Sequence, residues 1–71
     1  MLTHKQLSML YRIASEVIFD NTTQNAIDIL TNLSARREEV NDFASAEVYQ
    51  EVIARLQDAN IIREDQKLEE L

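Results

Sequence analysis

The chain contains neither glycine nor proline. Tight hairpins rely on glycine for backbone angles that other residues resist, and proline is the other strong punctuator of turns, so their joint absence argues against a β-rich fold. Helices joined by short polar loops remain, with Asn, Asp and Thr doing the turning.

The helix boundaries follow from local chemistry. Thr3 can accept from the Gln6 amide while Gln6 reaches back to Thr3, and Leu2 and Leu7 occupy the flanking staple positions. From there Leu7, Leu10, Tyr11, Ala14, Val17 and Ile18 recur at helical spacing, which predicts a first helix over about 4–19. Asp20-Asn-Thr-Thr23 supplies a loop and several N-cap candidates for a second helix over about 23–40. Its apolar stripe is Ala26, Ile29, Leu30, Leu33 and Val40. Asn41 suits the left-handed conformation that closes a helix, and Asp42 can cap the next. A third helix over about 43–59 then turns Ser45, Val48, Tyr49, Val52, Ile53, Leu56 and Ala59 inward.

Asn60 is expected to stop that helix in a Schellman turn, with Leu56 against Ile61. Beyond it, residues 65–71 form a short fourth helix capped by Asp65 or a frayed tail. The expected fold is therefore all-α: one domain over 1–64, a small three-helix bundle, with a short C-terminal fourth helix or tail.

A chain of 71 residues buries only about 60% of its unfolded surface, so its stability is marginal and a second subunit would add to it. A homodimer is one expectation. Hydrophobic residues at 45% suffice for a core, and with no cysteine there is no disulfide and no thiolate metal site. An intracellular, cytoplasmic setting is expected. The most apolar segment, Leu7 to Phe19, is interrupted by Arg12 and Glu16 and is too short for a membrane span of roughly 20 residues. It also lacks the small-residue cleavage site of a signal peptide.

The net charge of −6 is unevenly placed. Residues 1–36 balance Lys5, Arg12 and Arg36 against Glu16, Asp20 and Asp28, whereas residues 37–71 carry four basic and ten acidic side chains. Nucleic-acid affinity comes largely from lysines and arginines that displace counterions, so direct nucleic-acid binding is not expected.

Catalytic chemistry finds little material. His4 is the only histidine and lies in the first turn of a terminal helix, where an exposed surface role is preferred to that of general base. One histidine and no cysteine cannot build a common zinc site. The stretch from Asp20 has no glycine at the sixth position of a calcium loop and carries Thr31 at the twelfth. Glu38, Glu39 and Asp42 are better read as solvated carboxylates than as a cation site. The expectation is a non-enzymatic chain without metal or cofactor.

Two surfaces could carry function. On the third helix Glu47, Glu51, Arg55 and Asp58 share a narrow sector opposite the apolar stripe, and Glu38, Glu39 and Asp42 would extend it. The face is either merely solvated or a docking ridge for a basic protein, an imitation of DNA phosphates included. Met9 and Ile13, with Phe19, exceed the one buried face that the first helix needs, and are either covered by the C-terminal fourth segment or form a candidate dimer or partner patch.

Leu2-Thr-His-Lys-Gln-Leu-Ser-Met-Leu-Tyr-Arg-Ile13 resembles the opening helix of winged-helix regulators, which are helix-turn-helix proteins. Val52-Ile-Ala-Arg-Leu-Gln-Asp-Ala-Asn-Ile-Ile-Arg63 resembles the end of their recognition helix running into a wing strand. Together the two segments cover about a third of the chain. The resemblance implies a dimeric transcription regulator with Glu47, Gln50, Glu51 and Arg55 towards DNA. Carboxylates there would face phosphate, so a scaffold of this type would be turned to protein binding. The favoured expectation is a small acidic regulator or inhibitor, of the kind phages and mobile elements carry, that binds a protein partner.

Overall fold

The structure, a computed structural model, describes the backbone of residues 1–70 and the side chains of residues 1–59. Three helices follow one another: α1 (His4–Asp20), α2 (Thr23–Glu39) and α3 (Phe43–Glu70). No strand occurs among the described residues. The all-α bundle expected from the sequence is the observed architecture.

Each start has a local cause. At α1 the Thr3 hydroxyl accepts from the Gln6 amide at 3.1 Å, and the Gln6 Oε1 accepts from the Thr3 amide at 2.9 Å, which completes the capping box. Thr22 caps α2 by accepting from the Asn25 amide at 3.3 Å. Between them Asn21 turns its side-chain amide back onto the Val17 carbonyl at 2.9 Å, which satisfies one of the free acceptors at the end of α1.

The α2–α3 corner is a full Schellman stop. Asn41 has φ of 62°, and it is the one non-glycine residue with positive φ among the described residues. The Asn41 amide donates to the Glu38 carbonyl at 3.0 Å and the Asp42 amide to the Arg37 carbonyl at 2.8 Å, the paired bonds that define the motif. Asp42 then accepts from the Ser45 amide at 3.3 Å and caps α3.

The second expected stop is absent. α3 continues through Asn60 to Glu70, so the boundary at 59 and the separate helix from 65 are replaced by one helix of 28 residues. Asn60 is followed by residues rich in good helix formers, and an interior asparagine costs well under 1 kcal/mol, less than the interrupted helical hydrogen bonds would. The wing strand implied after Asn60 is likewise helix through Arg63. The expected contact of Leu56 with Ile61, and Leu71 itself, lie outside the described residues.

At 1.5 Å per residue α3 is about 42 Å long and α1 and α2 about 25 Å each. That length accounts for the extents of 46 × 22 × 21 Å. α2 and α3 form the most intimate pair and α1 packs across both. The core is Leu10 and Ala14 of α1, Ile27 and Leu30 of α2, and Val48, Tyr49 and Ile53 of α3. Small residues let the pair approach closely. Ser34 and Ala46 meet there, and the buried Ser34 hydroxyl donates to the Ala46 carbonyl at 3.2 Å.

The inward faces differ from expectation at their edges. Ile27 is buried in place of Ile29, which is only half-buried, because α2 is centred on Ala26, Leu30 and Ser34. Val40, at the C-cap, is 66% exposed since the chain has already left the helix there. Ala59 is exposed. On α1 the core takes only Leu10, Ala14 and, in part, Leu7 and Val17, and leaves Tyr11 and Ile18 on the rim.

Candidate interaction surfaces

Glu47, Glu51, Arg55 and Asp58 all stand exposed on α3. They share a sector because their positions differ by near-whole numbers of turns at about 100° per residue. Arg55 donates through Nη2 to Glu51 Oε1 at 3.0 Å. Both side chains are more than half exposed, so the pair contributes only some tenths of a kcal/mol.

These charges border apolar ground. Glu47 and Glu51 edge a crevice of about 380 Å³ floored by Leu2, Ala44 and Val48, with the fully exposed Met1 at its margin. A second crevice, of about 260 Å³, lies between Tyr11 and Ile18 of α1 and Val52 and Leu56 of α3, and Arg55 edges it. Glu51 lines the first crevice and its hydrogen-bond partner Arg55 the second, and the two crevices together are the α1–α3 strip. The carboxylates are legible in the sequence but this floor is not, because Leu2 meets Ala44 and Val48 only once the start of α1 packs against α3.

Glu38 and Glu39 are exposed at the end of α2. Asp42 departs from the ridge: five residues before Glu47, it lies about 140° around the helix from it. Its carboxylate is engaged locally. Hydrogen bonds from the Ser45 hydroxyl and then the Ser45 amide hold Asp42 below its ordinary carboxylate value, and Arg37, 3.8 Å away, adds a smaller effect against a small opposing burial cost.

Asp42 and Arg37 line a different groove, of about 190 Å³, between α1 and the α2–α3 corner. Met9 and Ile13 form its outer wall, with Leu2 and Leu10 beside them and Tyr49 at its base. Met9 is 56% and Ile13 38% exposed. The Tyr49 ring is buried, and that burial pushes its phenol above the ordinary value. Phe19 does not join this patch. It is 90% exposed, and helical rotation places it about 120° from Ile13.

Gln50, which the winged-helix resemblance turns towards DNA, spends its side-chain amide on Ser34 of α2 at 2.8 Å. His4 is exposed. Among the described residues no three His, Cys, Asp or Glu side chains gather in a group that could hold a metal ion, and no helix is long and apolar enough to cross a membrane. No protein-family model, curated protein or solved structure matches the chain.

Proposed function

We propose that the chain is a non-catalytic protein-binding module, a small acidic regulator or inhibitor that engages a basic protein partner along the α1–α3 strip. The observation that carries this reading is the juxtaposition of Glu47 and Glu51 with the apolar side chains of Leu2, Ala44 and Val48. A lysine or arginine of the partner lays its aliphatic stem on that floor while its charged head reaches the carboxylates, since such side chains bury the stem and keep the head polar. The acidic excess of residues 37–71 draws basic partners and repels nucleic acid.

The test is quantitative capture of partners from host cells by the intact chain and by a Glu47→Lys, Glu51→Lys variant. Wild type retains a partner that rising salt releases, and the variant loses that same partner while keeping its helicity. Equal retention by both would leave the face a solvated one.

A further inference from the structure

We propose that Met9 and Ile13 are the seam of an antiparallel homodimer in which α1 of one copy packs against α1 of a second. Gln6, Met9, Ile13, Glu16 and Asp20 follow one another at alternating steps of three and four, the spacing that lays a single stripe along a helix for a partner helix. On α1 this stripe is distinct from the core face of Leu10 and Ala14. Its middle is apolar and exposed at Met9 and Ile13.

Charge selects both the occupant and its direction. Residues 1–36 are neutral overall, so a second copy meets no net repulsion at α1, whereas contact through the acidic α3 face would set like charges together. Within α1 the cation Lys5 borders the first half of the stripe, whereas on its second half the acids Glu16 and Asp20 outnumber Arg12, which pairs with Glu16 at 3.7 Å, so the two halves carry opposite net charge. An antiparallel register that sets Met9 of each copy on Ile13 of the other brings Lys5 of each beside Glu16 of the other. A parallel register would oppose Lys5 to Lys5 and Glu16 to Glu16. Arg37, 53% exposed and paired with Asp42 at 3.8 Å, lines the groove beside the stripe and adds a further cation for the incoming acids.

Sedimentation equilibrium of the intact chain from micromolar to millimolar concentration tests this. Wild type forms dimers. Lys5→Glu and Glu16→Lys each reverse two symmetry-related contacts and weaken the dimer roughly tenfold. An acid near the helix start and a base near its end both suit the helix dipole, which offsets the loss of the exposed Arg12–Glu16 pair in Glu16→Lys, and circular dichroism verifies the fold of both variants. An equimolar mixture of the two variants recovers wild-type association, because a mixed pair again opposes unlike charges at both contacts. Met9→Asp gives a monomer, and Glu47→Lys with Glu51→Lys leaves dimerisation in place, which separates this surface from the acidic strip. A wild-type monomer at millimolar concentration, single reversals without effect, or a mixture no tighter than its components would each overturn the antiparallel dimer.

Discussion

Gln50 of α3 donates its side-chain amide to the hydroxyl of Ser34 on α2 at 2.8 Å, and no surface of Ser34 remains exposed. The same hydroxyl donates to the Ala46 carbonyl at 3.2 Å, so a polar side chain sits fully satisfied in the tightest helix contact of the bundle. Removing it should matter more than removing a surface serine. Ser34→Ala is expected to cost about 1–2 kcal/mol and Gln50→Ala about 1 kcal/mol, because each strands or loses a hydrogen bond. Urea unfolding of both single variants and the double variant should give a coupling of about 0.5–1 kcal/mol, the signature of a direct contact. Strict additivity would mean that the bond carries no stability.

The two asparagines that look alike in the sequence should respond oppositely. Asn41 is left-handed, with φ of 62°, so Asn41→Gly should be neutral or slightly stabilising and Asn41→Val should cost about 1–2 kcal/mol. Asn60 lies inside α3, where Asn60→Ala should add roughly half a kcal/mol and Asn60→Gly should weaken the helix. Thermal melts followed by circular dichroism report both. A stabilising Asn60→Gly would restore the helix stop.

That contrast shows where legibility ended. Caps and turns are readable because their partners lie within three to five residues: Thr3 with Gln6, Thr22 with Asn25, Asn41 with Glu38 and Asp42 with Arg37. Asn60 carries the same residue type as Asn41, but only Asn41 precedes a residue, Asp42, that goes on to cap a following helix. Ser34 was unreadable for another reason, since its partners Ala46 and Gln50 lie 12 and 16 residues away. The site divides likewise. Helical rotation sufficed to place Glu47, Glu51, Arg55 and Asp58 on one exposed face, while the apolar floor beside them and the separate groove that takes Asp42 depend on how three helices meet.

Asp42 predicts a pH dependence with a definite sign. Its native carboxyl is held below the ordinary value, mainly by the Ser45 hydrogen bonds, so on acidification the unfolded chain takes up this proton first. The contribution is fully present above the ordinary carboxylate range, at roughly pH 4, and is lost as pH falls through the lower native value. Urea midpoints of wild type and Asp42→Asn should therefore differ at pH 6 and converge in strong acid. A gap of the same size at both ends would show that the charge on Asp42 contributes nothing.

Nuclear magnetic resonance can show whether the α1–α3 strip receives a basic amphipathic segment. ¹⁵N-labelled chain is titrated with a synthetic helical Lys/Leu peptide and, in parallel, with its Glu/Leu counterpart. The basic peptide is expected to shift the amides of Ala44, Glu47, Val48 and Glu51 in a saturable, salt-sensitive way, the acidic peptide is not, and Glu47→Lys with Glu51→Lys removes the effect. Shifts centred elsewhere, or equal responses to both peptides, would contradict binding along the strip.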